Sequence, residues 1–305
     1  MTAARYTIID LGSNSFHMLT VTKQDNGFNI VSKHKQKVRL AAGLNGQNQL
    51  DLITMEKGWS CLQHFGTLLD EIQPICLLIT ATAALRIAEN NQQFLNTAET
   101  ILKHPINLIS GIQEAKTIFK GVAFTENTDK ELLVMDIGGA STELVLGQKN
   151  NVHVANSLNI GCVTWLSHYF ADDLLNEYNF NNAVNAAKQV ISTVKAQYSN
   201  HQWELTLGAS GTIQAVNEVN DAQKLADSLS YDLLQKIKQQ CIACQSIAAL
   251  NIVGLEDSRK LVFASGLAIL IALFESFKIN SMQRSKGALR EGLISMMFSK
   301  QESFN

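Results

Sequence analysis

Two aspartates, Asp10 and Asp136, each close an apolar, strand-forming run, and each is followed at once by a turn of small residues. Thr7-Ile8-Ile9-Asp10-Leu11-Gly12-Ser13-Asn14-Ser15 is echoed by Leu133-Val134-Met135-Asp136-Ile137-Gly138-Gly139-Ala140-Ser141, with Asp, Gly and Ser in register. A carboxylate at the end of a buried strand is costly unless a cation or hydrogen-bond donors meet it. A turn-capping role suits one such aspartate better than a duplicated pair. Gly12, Gly138 and Gly139 leave room for backbone N–H groups to point at an anion, and Ser13, Ser15, Ser141 and Thr142 add hydroxyl donors. Phosphate is the guest this chemistry predicts. A single Gly-Ser turn is weak evidence, since hairpins use such turns routinely. Two in register carry more weight.

Glu143, a few residues beyond Asp136, supplies a second carboxylate to that loop, and the pair suits Mg²⁺, which takes few protein oxygens alongside water and substrate phosphates. Arg86, one turn into a helical segment after a strand, has the fork geometry to clamp a phosphate, although an Arg on an exposed helix face is the commoner case. Glu114 opens another helix after Ser110-Gly111. It could deprotonate or orient water near bound phosphate, or simply sit solvated in a first turn that the helix dipole favours. Cys241-Ile242-Ala243-Cys244 has no second Cys pair or His cluster to complete a metal site and reads as two helix cysteines one turn apart.

The elements that must position these groups alternate. Apolar runs at Tyr6–Asp10, Ile75–Thr80, Leu132–Asp136 and Glu204–Leu207 each lead into a small-residue turn, and helical patterns such as Val184, Ala187, Ile191 and Val194 lie between them. This predicts an α/β chain. The second pair of turns, Leu78-Ile79-Thr80-Ala81-Thr82 and Thr206-Leu207-Gly208-Ala209-Ser210, repeats the order of the first, so two lobes share one plan and their four turns face one cleft. We place the lobes at residues 1–124 and 125–305.

At 305 residues and 46% hydrophobic content the chain fills two cores, and its net charge of −2 excludes the basic face that duplex nucleic acid requires. The apolar stretch Val262–Phe274 is shorter than the roughly twenty residues of a membrane span and is expected to be a core helix. Five cysteines without scaffold spacing, and an opening segment without a signal-like apolar region, lead to the expectation of a cytoplasmic chain with no membrane partner.

At these residues the sequence resembles the exopolyphosphatase and guanosine pentaphosphate phosphohydrolase family. The resemblance is carried by Asp10–Met18, Ala84-Leu85-Arg86, Ile109-Ser110-Gly111, Asp136–Glu143, Gly208-Ala209-Ser210-Gly211-Thr212 and Gly287-Ala288-Leu289-Arg290-Glu291-Gly292. It implies two ribonuclease H-like lobes of the actin, sugar-kinase and Hsp70 ATPase superfamily around an active-site cleft. It implies further that Glu114 is the base for an attacking water, that Asp136 and Glu143 attend Mg²⁺ and water, and that Arg86 contacts phosphate. Asp10, Gly12, Ser13, Asn14 and Ser15 would form one phosphate loop, Gly138, Gly139, Ala140 and Ser141 the other, and Gly208, Ala209, Ser210 and Gly211 the second lobe's inner loop.

Lys37–Asn45, Gly161–Leu166 and Ser265–Ile271 look more like the pentaphosphate branch, so the implied reaction is removal of phosphate from guanosine pentaphosphate. Release of terminal phosphate from inorganic polyphosphate is the nearest alternative, and a non-catalytic nucleotide sensor a more distant one. Long family members carry a further helical region, whereas this chain stops soon after Arg290, which leaves homodimerisation open. Leu289–Phe298 has a helical pattern and is expected to pack back on the first lobe.

Overall fold

The computed structural model describes residues 4–24 and 27–302. Its first half comprises β1 (Arg5–Leu11), β2 (Phe16–Gln24), β3 (Gly27–Gln36), α1 (Leu52–Ile72), β4 (Cys76–Ala81), α2 (Ala83–Ile87), α3 (Asn91–Leu102), β5 (Asn107–Leu108) and α4 (Gly111–Glu126). The second half comprises β6 (Glu131–Ile137), β7 (Thr142–Gln148), β8 (Asn151–Leu158), α5 (Cys162–Tyr169), α6 (Glu177–Lys195), β9 (Leu205–Ala209), α7 (Ser210–Gln223), α8 (Tyr231–Ala243), α9 (Asp257–Phe277), β10 (Gln283–Arg284) and α10 (Leu289–Glu302). The expected strands are all present, with ends shifted by a residue or two, and the expected helical segments lie within α6, α9 and α10, the last two running several residues beyond them.

The strands build two five-stranded sheets, ordered β3-β2-β1-β4-β5 and β10-β9-β6-β7-β8. In the first, β1 runs antiparallel to β2 and parallel to β4; in the second, β6 runs antiparallel to β7 and parallel to β9. The duplication seen in the sequence is therefore a duplication of topology, and each copy is the ribonuclease H-like arrangement. Parallel neighbours must be joined by crossovers, which α1 and the α5–α6 segment supply.

Each lobe has its own core. One gathers Phe16, Phe65 and Phe94 under α1 and α3; the other gathers Phe170, Phe180, Tyr198 and Phe274 around α6 and α9. Helix α9 is apolar on every side and buried on nearly every side, as such a helix must be. It is long and apolar enough to cross a membrane, yet 78% of its most apolar window is buried inside the protein. It is the core helix the sequence predicts. Cys241 is buried on α8 and Cys244 follows at the helix end, both as free thiols.

A third core joins the halves. Tyr6, Ile8, Leu19 and Val21 of the first sheet and Leu132, Val134 and Val145 of the second close on α4 and α10. Helix α4, from the first half, packs on β7 and β8; helix α10, from the second, packs on β1 and β4 as expected, with the Tyr6 and Phe298 rings edge to face at 5.1 Å. The exchanged helices cross at glycines. A Cβ at Gly292 would strike the Thr117 carbonyl, and one at Gly121 would stand 2.6 Å from the Gly292 amide nitrogen. This crossing fixes the first turns of both helices beside the strand ends.

Candidate active site

The two β-turns after β1 and β6 have the same close-packed geometry. A Cβ at Gly12 would lie 2.8 Å from the Ser15 carbonyl, and one at Gly138 would lie 3.0 Å from the Ser141 carbonyl. The turns also meet each other, since a Cβ at Gly139 would stand 2.9 Å from Ser13 Cβ and 3.1 Å from the Asn14 amide nitrogen. Between the lobes this leaves a cleft of about 540 Å³. Asp10, Gly12, Ser13, Asn14, Ser15, Thr82, Glu114, Asp136, Gly138, Gly139, Ser141, Ala209, Ser210 and Gly211 line it. The four turns do converge.

Strand register explains the floor. Residues paired across strands share a sheet face, so β4, β1, β2 and β3 set Thr80, Asp10, His17 and Lys35 in one row. The second lobe repeats the row as Ala209, Asp136, Glu143 and Ser157. Asp10 Oδ1 is buried with no hydrogen-bond partner among the described residues. Burial drives the Asp10 carboxyl up to about 7 against the opposing pull of Arg290, with Glu114, Asp136 and Glu291 adding to the rise. Asp136 is likewise raised to about 7, by burial and then by Glu114, while Ser210 and Arg290 oppose it. Glu143, only 2% exposed, lies behind Asp136 and accepts from Ser141 Oγ and Ser157 Oγ, each at 2.7 Å. Burial, and then Glu114 and Asp136, hold its pKa well above the usual carboxylate range.

Glu114 is placed by the start of α4. Ser110 Oγ accepts from the Gln113 amide at 3.2 Å and Gln113 Oε1 accepts from the Ser110 amide at 2.8 Å, a capping box that starts the helix at the cleft wall. Ile112 and Gln113 of that turn are exposed, but Glu114 itself is buried, so it is not the solvated first-turn acid of the common case. Arg86 Nη1 donates to Glu114 Oε2 at 2.8 Å and to the Ile109 carbonyl at 3.1 Å, and Nη2 is buried with no partner among the described residues. Burial raises the Glu114 pKa and Arg86 partly counters it. The guanidinium thus pairs with the carboxylate through Nη1 as its counter-ion and keeps Nη2 unpartnered among the described residues.

Three further expectations are corrected in detail. The Gly138 amide is not free for an anion, because it donates to the Ser141 carbonyl at 2.9 Å and closes its own turn. Ala140 is buried in the first lobe's core, and Gly208 packs inside β9 against Met282 and Ile213, so neither reaches the cleft. Ser210 does reach it, in a left-handed conformation at φ 77° that a non-glycine residue holds only when its surroundings impose it. Its Oγ donates to the Ile137 carbonyl at 2.9 Å.

A family model described as the Ppx/GppA phosphatase family matches residues 19–301. The chain belongs to that family. A relative from Pseudoalteromonas translucida, named guanosine-5'-triphosphate,3'-diphosphate pyrophosphatase, is 49% identical over 292 residues covering 96% of this chain and 59% of that protein. A relative of the same name from Vibrio cholerae is 47% identical over 289 residues, covering 95% and 58%. The chain therefore spans well under two thirds of these curated relatives. An exopolyphosphatase from Cytophaga hutchinsonii shares the fold at a TM-score of 0.87, with 22% identity over 97% of this chain and 98% of that one. The Aquifex aeolicus member of the Ppx/GppA family superposes at 0.77 with 25% identity over 98% of both chains.

In this family member the cleft walls also carry His17, Lys33, Lys35, Arg259, Arg284, Lys286 and Arg290, none of which the motifs alone singled out. Two signals were present. Lys33, Lys35 and Lys37 alternate at the period of a strand face, and Arg290 lies inside Gly287–Gly292. Arg290 Nη1 meets His17 Nδ1 at 3.2 Å.

Proposed function

We propose that the chain removes the terminal 5′-phosphate of guanosine pentaphosphate, giving guanosine tetraphosphate and phosphate, and that it does so in the cytoplasm. The observation that carries this reading is Glu114, a buried carboxylate held by Arg86 and facing a cleft whose walls bear cations from both halves. The name of the two relatives favours the pentaphosphate over other phosphoanhydrides. The lobes taken as residues 1–124 and 125–305 would supply one turn pair each.

Glu114 holds a water in line with the terminal phosphorus and takes its proton as the new P–O bond forms and the bridging P–O bond breaks. The leaving diphosphate oxygen carries the released electron pair. Ser13 and Ser15 donate to phosphate oxygens, and Arg290 offsets their charge. Such a reaction depends chiefly on positioning and on charge stabilisation. The orphaned Asp10 Oδ1 beside Asp136, backed by Glu143, is a donor set that fits a divalent cation. Mg²⁺ held by Asp136, with Asp10 and Glu143 close by, would neutralise phosphate charge.

A polyphosphate substrate is the second reading, favoured by walls lined with cations rather than apolar groups. Mg²⁺-dependent phosphate release from guanosine pentaphosphate and from short and long polyphosphates, measured in parallel, separates the two. In Glu114→Gln turnover is expected to fall by roughly 100- to 10,000-fold on the preferred substrate while binding persists. Near-normal turnover in that variant would remove Glu114 from the mechanism. Tight binding by the wild type without release would make the protein a sensor.

A further inference from the structure

The first lobe's row places a histidine where the second lobe's row places Glu143: Asp10–His17–Lys35 against Asp136–Glu143–Ser157. His17 faces cations on several sides. Lys35 is its cross-strand neighbour on β3, Lys33 lies two residues further on the same strand face, Arg259 comes from the start of α9, and Arg290 descends from the first turn of α10. Arg290 has no carboxylate within ion-pair distance among the described residues. Its hydrogen bond is to His17 Nδ1, at 3.2 Å.

We propose that His17 is a positioning residue for Arg290, accepting through Nδ1 and so holding the guanidinium in the cleft near Asp10 and Asp136, beyond ion-pair distance of either, where the terminal phosphate is received. An arginine is always charged and offers only donors, so the ring nitrogen facing it must be the unprotonated acceptor. The imidazolium would repel Arg290 instead. Burial and the four surrounding cations lower the His17 pKa, in the same sense as the acceptor role that the 3.2 Å contact requires. With Nη1 fixed by the ring, the remaining N–H groups of Arg290 stay free for phosphate oxygens. Without that anchor, the flexible arginine is repelled by Lys33, Lys35 and Arg259.

The role assigned to Arg290 rests on the phosphohydrolase reading, and the test separates the two. Asn carries an acceptor near the Nδ1 position; Leu keeps the bulk and removes it. In guanosine pentaphosphate turnover, His17→Leu is expected to lose roughly 10- to 100-fold in kcat, the scale of a misplaced reacting group, with KM moved far less. His17→Asn should stay near wild type. His17→Leu combined with Arg290→Lys should be no worse than Arg290→Lys alone, as for two residues acting through one contact. Equal losses in Asn and Leu variants of unchanged Tm, or losses that multiply, would overturn the proposal. Calorimetric binding of inorganic triphosphate to the same variants gives the same comparison without turnover, so an inactive wild type would sink only the phosphohydrolase reading. A ¹⁵N spectrum of the intact wild-type protein offers a check that no variant's folding affects. Nδ1 of His17 is expected in its unprotonated form at neutral pH, and a protonated Nδ1 would overturn the assignment.

Discussion

Burial raises the Glu114 pKa, and one neighbour, Arg86, opposes that rise. Removing that neighbour in Arg86→Leu strips away the influence that lowers its pKa, so a larger share of Glu114 is protonated at neutral pH. The acidic limb of kcat/KM is expected to move to higher pH in this variant, and a pH–rate profile checks it; an unmoved limb would mean that Glu114 does not set it. Asp10 and Asp136 bear on stability instead. Each titrates near 7 when folded, against 3.8 as the ordinary value, so between those values the folded chain holds protons that the unfolded chain has released. Their contribution therefore favours folding at low pH and fades as pH rises through about 7. Asp136→Asn should raise Tm by a few degrees at pH 8 in the presence of a chelator and leave it nearly unchanged near pH 4, as thermal unfolding at the two pH values would show. The acids of this site were legible in the sequence because each lies in a repeated or punctuated segment. Arg86 as the partner of Glu114 was not, since 28 residues separate them and only the meeting of α2 with α4 brings them together.

At the scale of elements, the strands announced themselves through apolar runs ending in small turns, and α9 through its unbroken hydrophobicity. Local pattern governs both. The return of α10 to the first lobe was expected, but the packing of α4 on β7 and β8 left no such trace, because a helix shows which face is apolar but not which sheet will cover it. The glycines that permit the crossing, Gly121 and Gly292, look like ordinary helix breakers in the sequence. Gly292→Ala would drive a methyl group into the Thr117 carbonyl, a backbone atom with no room to yield. We expect a loss of about 1–3 kcal/mol, the usual cost of overpacking, measured by denaturant unfolding. Activity should fall with it, because α10 carries Arg290 to Asp10 and His17.

For the whole molecule, a net charge of −2 hides a strongly polarised interior. Lys33, Lys35, Arg259, Arg284, Lys286 and Arg290 all face the cleft, and Lys35 is pushed down to about 8 by burial and by Arg259 and its other basic neighbours. These six cations share the cleft with five carboxylates, Asp10, Glu114, Asp136, Glu256 and Glu291, and attract a polyanion through a field that salt screens over roughly 8–10 Å at physiological strength. KM for guanosine pentaphosphate should therefore climb with added NaCl while kcat changes little; a salt-independent KM would mean that the cationic walls do not recruit substrate. Composition alone pointed away from duplex nucleic acid but gave no hint of this wall, whose members are scattered from residue 33 to residue 290 and meet only when both sheets close on α4 and α10.

The unequal fates of the two strand rows give the cleft a direction. Had both copies kept the same side chains, a phosphate chain lying between the lobes would meet the same surroundings at either end and could bind equally well reversed. Instead one row became Asp-His-Lys and the other Asp-Glu-Ser. A duplicated scaffold with near two-fold symmetry thereby acquired an electrical head and tail, which under the proposed function would give a bound phosphate chain one preferred orientation, with only one of its ends beside Glu114.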